Sequence, residues 1–100
     1  MRSKAYSEIG IIIKEARLKK EITQKDLSDI LGFTCTQYIS NLERGVTTMS
    51  ADKLGKICAI LQIPDKKIQR LLVDEYIEKL EIGFKEGKEE LSQEQFKKTA

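Results

Sequence analysis

Cys35 and Cys58 are the chain's two thiols, and neither has a neighbour at a spacing that would hold a metal or define a disulfide framework. Among 100 residues there is no histidine, so the commonest general base and the commonest metal ligand are both missing. No nucleophile stands beside a base and no cluster of ligands is spelled out, which argues against an enzyme and calls for no cofactor and no metal. Cys35 falls in a turn without the basic neighbours that activate a redox-sensing thiol. What remains is recognition by amides, hydroxyls and a modest number of cations.

The composition fits one small globular domain: 40% apolar and 34% charged residues in a chain too short for a second full domain. Reduced, isolated cysteines without a signal peptide point to the cytoplasm. No purely apolar run, Ile11-Ile12-Ile13 included, approaches the length of a membrane span. The net charge of +2 is small for a protein that grips phosphates, but it is unevenly spread. Residues 1–64 hold 10 Lys+Arg and 7 Asp+Glu, a net of +3, whereas residues 65–100 hold 8 and 9, a net of −1.

Apolar residues recur at helical spacing almost throughout, and alternating strand patterns are missing, so the expected class is all-α. A first helix spans about Ser7 to Lys20 and turns Ile9, Ile12, Ile13 and Ala16 to one side. Thr23 and Asp26 make a capping box for a short helix over 24–31, which Gly32 ends in the left-handed conformation. Thr34 with Gln37 repeats the capping signature before a third helix over about 35–43, closed by Gly45. Ser50 caps a fourth helix that runs to Ile60 or Leu61, with Asp52 in its first turn. Asp65 caps a fifth, carrying Ile68, Leu71, Leu72, Tyr76 and Leu80, whose end Gly83 and Gly87 leave open. Ser92 with Gln95 offers a cap for one last turn near Phe96, where the end frays. The expected architecture is a compact five-helix domain over 1–73 with a helical extension over 74–100.

The second and third helices have the lengths and the tight connection of a helix-turn-helix, whose second helix can lie in a DNA major groove. Two short helices also pair this way simply to bury each other's faces. The residue pattern separates the alternatives. Gly10, Ile13, Arg17, Thr23-Gln24-Lys25-Asp26-Leu27, Leu31-Gly32, the run Tyr38-Ile39-Ser40-Asn41-Leu42-Glu43-Arg44-Gly45, and Leu54, Ile57 and Leu61 together resemble the phage-repressor/Cro-like (XRE) helix-turn-helix family over roughly residues 7–73. The resemblance implies a transcriptional regulator that binds double-stranded DNA, typically a pseudo-palindromic operator, as a dimer.

Carried over residue by residue, it implies base contacts from Thr36, Gln37, Ser40 and Asn41, whose amides and hydroxyls suit base edges. Tyr38 either joins them or packs inward. Gln24 and Arg44 match phosphate-contacting positions, with Thr47 and Lys53 as further candidates. Arg17 and Glu43 match a structural salt bridge. From Gly32 to Gly45 the chain has one residue more than the common pattern, so the assignments at Cys35 and Thr36 are less firmly anchored than those at Ser40, Asn41 and Arg44. The loop Val46-Thr47-Thr48 lacks the lysine or arginine many relatives carry, which implies a shallow salt dependence of DNA binding.

The i, i+4 series Leu72, Tyr76, Leu80, Phe84 makes an apolar stripe that either folds back on the core or joins two copies into a homodimer. The competing functional reading is a protein-interaction module, such as an antitoxin-like factor whose C-terminal helix captures a protein partner.

Overall fold

The computed structural model describes residues 3–91, so the expected turn at Ser92, Gln95 and Phe96 lies outside the described residues. Five helices follow in order: α1 (Lys4–Lys19), α2 (Gln24–Leu31), α3 (Gln37–Glu43), α4 (Ala51–Leu61) and α5 (Asp65–Glu90). Among the described residues there is no strand, and no helix is long and apolar enough to cross a membrane.

Helix α1 starts one turn before the expected Ser7, because the Ser3 hydroxyl accepts from the Tyr6 amide at 3.1 Å and caps the new start. The Ser3 hydroxyl also donates to the Glu75 carboxylate of α5, tying the first residues to the last helix. That hydroxyl, followed by the Ala5 amide and Lys79, holds the Glu75 carboxyl below its ordinary value. The capping box of α2 has both of its bonds: the Asp26 amide donates to Thr23 Oγ1 and the Thr23 amide donates to Asp26 Oδ2, each at 3.0 Å. Gly32 ends α2 at φ 78°, a left-handed angle that costs glycine little.

Three expectations are corrected at helix ends. Helix α3 begins at Gln37, after an N-cap Thr36 that makes no side-chain capping bond, so Thr34 and Gln37 form no capping box. The connection over 33–36 is instead pinned from α2, where the buried Ser28 hydroxyl donates to the Cys35 carbonyl at 2.9 Å. Asp65 is the first residue of α5 rather than its cap, a position taken by Pro64. The end of α5, which Gly83 and Gly87 left open, lies beyond both at Glu90. Ser50 does stand before α4, but its hydroxyl makes no capping bond to the helix backbone; its bond to the Asp52 side chain instead holds that carboxyl below its ordinary value.

The core joins Ile9 and Ile13 of α1, Leu27 of α2, Ile39 and Leu42 of α3, Leu54, Ile57, Cys58 and Leu61 of α4, and Ile68 of α5, all buried. Leu71 and Leu72 pack against this cluster from α5. The 73/74 boundary therefore falls within one continuous helix, whose first turns complete the core and whose later turns leave it. The Leu72 end of the proposed stripe is half-buried on its own core, while Tyr76, Leu80 and Phe84 are exposed.

Candidate nucleic-acid interface

Helix α3 can present one face outward only if the other is anchored, and α1 supplies the anchor. Gly10 lies so close to the end of α3 that a Cβ there would stand 2.5 Å from the Glu43 carbonyl oxygen and 2.6 Å from that of Leu42. Just beyond, Gly45 has φ 74° and lies against the Ser7 backbone. Contact this close lets Arg17, half a helix further along α1, reach the last residue of α3. Its Nε donates to Glu43 Oε2 at 2.7 Å and its Nη2 to Glu43 Oε1 at 3.1 Å. The two side chains are 8% and 2% exposed, so this bidentate pair lies inside the fold. Arg17 Nη1 also donates to the Ile22 carbonyl at 2.8 Å, which ties in the loop before α2.

Gln24 completes this cluster. Its Nε2 donates to Glu43 Oε1 at 3.0 Å, linking the first residue of α2 to the last of α3. An amide nitrogen carries two hydrogens, so one remains for another acceptor. The two members of the helix-turn-helix are thus held to each other and to α1 through a single carboxylate.

On the opposite side of α3 the polar residues form a second network. Gln37 Nε2 donates to Asn41 Oδ1 at 2.8 Å, and Arg44 Nη2 donates to the same oxygen at 2.6 Å. Arg44 Nε reaches back to the Ser40 carbonyl at 3.4 Å. Arginine has only donors, so its contact fixes which end of the Asn41 amide faces it and leaves the Asn41 nitrogen for a further acceptor. Gln37, Thr36 and Arg44 are exposed, and Ser40 and Asn41 half-buried.

A third group surrounds the turn and the loop after α3. Phe33, Tyr38, Thr47 and Lys53 line one open cleft there. The Tyr38 ring is exposed and tilts against Phe33 with centroids 5.2 Å apart, and the Lys53 ammonium lies 5.8 Å from the Phe33 centroid. Thr47 Oγ1 donates to the Thr48 carbonyl at 3.2 Å. Thr48 Oγ1 is buried and makes no hydrogen bond within the described residues. Sequence reasoning treated Phe33 only as part of a connection; its place between an aromatic and a cation depends on contacts that run outside any single helix.

The described residues contain no group of three acidic, Cys or His side chains able to hold a metal ion. Cys35 is exposed and Cys58 buried. Burial, with Asp65 adding to it, pushes the Cys58 thiol above its ordinary value and so away from the reactive thiolate.

Residues 13–68, more than half of the chain, match the family described as helix-turn-helix. The chain belongs to the XRE-type helix-turn-helix family. No curated protein and no solved structure matches it. The matched stretch of this XRE-type chain runs from Ile13, through the turn and both helices of the motif, to Ile68 at the first turns of α5. Membership makes it a DNA-binding transcription regulator in the general sense, from a family that is not typically enzymatic.

Proposed function

We propose that the protein is a sequence-specific repressor that occupies a pseudo-palindromic operator as a homodimer, with α3 in the major groove of double-stranded DNA. The observation that carries this reading is the outward network of Gln37, Asn41 and Arg44 on a helix whose inner face is anchored by Arg17 and Glu43. Rigid presentation of amides and a guanidinium is what base-edge recognition requires. Thr36, Gln37, Ser40 and Asn41 read bases, with Tyr38 at their margin. Gln24 uses its remaining N–H on a phosphate, and Arg44, Thr47 and Lys53 complete the backbone contacts. Two unpaired thiols suit a cytoplasmic setting.

Selection of bound fragments from a genomic library tests this reading. A motif with two related half-sites is the expected product, and enrichment without any common motif contradicts it. With Arg44 and Lys53 as the phosphate-contacting cations of each copy, a dimer neutralises about four phosphates, so log K falls against log salt with a slope of about −4. Titration of the selected site between low and physiological salt measures the slope. A value near −8 or steeper would mean that other cations make the contact.

A further inference from the structure

Beyond the core, α5 carries a row of apolar side chains with a heptad period. Val73, Ile77, Leu80 and Phe84 of α5, and Leu91 directly after its last residue, are between 41% and 69% exposed. Their spacings are four, three, four and then seven, with Gly87 at the intervening place. This is the alternation of a two-helix seam. At roughly 100° per residue, the seam lies roughly 130° around α5 from the side that Ile68, Leu72 and Glu75 turn to the core. The two faces do not compete. The i, i+4 series from Leu72 to Phe84 drifts by roughly 40° at each step. It starts on the core and ends on the open side, and so mixes two surfaces.

We propose that this seam pairs with the same seam of a second copy, the two α5 helices running antiparallel. This deepens the dimer included in the proposed function. Antiparallel pairing sets Val73 opposite Leu91 of the second copy, Leu80 opposite Phe84, and Ile77 opposite Gly87. A large residue meets a small one where parallel pairing would put Gly87 against itself and leave a hole. Glycine is disfavoured inside a helix, yet Gly83 and Gly87 both sit in α5 with open space around them. In this pairing Gly83 lies at the twofold axis and Gly87 beneath Ile77, the two places where close approach is needed.

Charge chooses the same orientation. Asp74 and Lys88 flank the seam on one side, and antiparallel pairing brings each beside the opposite charge of the second copy, twice by symmetry. Glu81 meets its own counterpart once, at the axis. In parallel pairing the corresponding neighbours are Tyr76 with Glu81, Gly83 with Lys88 and Gln69 with Asp74, which include no opposite charges. The geometry also agrees with DNA. At 1.5 Å per residue, Ile68 and Leu72, where α5 meets the core, lie roughly 30 to 42 Å along the helix axis from their counterparts, a range that includes one duplex turn.

Sedimentation equilibrium of the full chain without DNA tests the pairing separately from any operator. The wild type is expected as a monomer–dimer mixture in the micromolar range, and Leu80→Glu as a monomer of unchanged helicity. Asp74→Lys or Lys88→Asp alone weakens the dimer about tenfold, and the double charge swap restores it. Residues 74 and 88 are about four helical turns apart in one copy, so rescue reports contact between copies. A monomeric wild type at millimolar concentration overturns the proposal, as does a heterologous partner needed to cover the seam. So does a charge swap whose single variants have no effect, the outcome of parallel pairing. If the dimer forms as described but no common DNA motif is selected, the operator reading falls and the pairing stands.

Discussion

Arg17→Ala lowers the stability of the fold by about 3 kcal/mol, the usual loss when one partner of a buried ion pair is removed. For a domain of this size the melting temperature drops by roughly 12–24 °C. Three hydrogen bonds go with the guanidinium, two to Glu43 and one to the Ile22 carbonyl. Among the described residues, the Glu43 carboxylate, itself almost wholly buried, then keeps only the Gln24 amide as a side-chain partner. Most of the loss is the burden of that charge. Removing both partners in Arg17→Ala/Glu43→Ala should therefore cost markedly less than the sum of the single losses. Thermal unfolding of the three variants measures this. An unchanged melting temperature in Arg17→Ala would mean that packing between α1 and α3 alone holds the recognition helix in place.

Gly10→Ala is the second large effect, and its sign is informative. Alanine in place of glycine within an exposed helix ordinarily stabilises by roughly 0.5–1 kcal/mol. Gly55 of α4, with nothing within 4 Å of an added Cβ, should behave this way. At Gly10 the new methyl meets backbone oxygens of Leu42 and Glu43 at 2.5–2.6 Å, and backbone cannot swing aside as a side chain tip can. Overpacking of this kind costs roughly 1–3 kcal/mol and moves the elements apart. Gly10→Ala is thus expected to destabilise while Gly55→Ala stabilises. Because the displaced element is α3, DNA affinity should fall under conditions where the variant remains fully folded. Equal stabilisation by the two substitutions would contradict the close approach of α1 to α3.

The features that could be read from the sequence are those whose cause is local. Thr23, Asp26 and Gly32 set the limits of α2 through bonds and angles made within a few residues, and the apolar spacing of α1 and α4 needs only one helix to be recognised. Helix ends that depend on distant atoms were not legible. Ser3 caps α1 while also bonding Glu75 of α5, and the turn before α3 is held by Ser28 of the preceding helix, so Thr34 and Gln37 had the right types without the right geometry. Glycine is a weak stop unless the chain must adopt a left-handed angle. Gly32 does at φ 78°, but Gly83 and Gly87 continue the helix.

The site divides in the same way. The resemblance placed Arg17 with Glu43, and the structure brings them together. The same resemblance put Gln24 at a phosphate, but it could not show that this amide already bonds Glu43. Nor could it show that Gln37 and Arg44 share one oxygen of Asn41. Spacing names the residues on a face; their mutual hydrogen bonds depend on rotamers set in three dimensions.

The outer face of α3 is proposed to read DNA sequence. The most direct measurement is a mobility shift with the selected operator and a scrambled duplex, comparing the wild type with Gln37→Ala/Asn41→Ala. Both residues lie outside the core, so the double variant should fold. Loss of two base-reading side chains at roughly 1–3 kcal/mol each predicts a fall in operator affinity of at least tenfold per copy. Affinity for the scrambled duplex should be nearly unchanged. A double variant that still prefers the operator as strongly as the wild type would show that another surface reads the sequence.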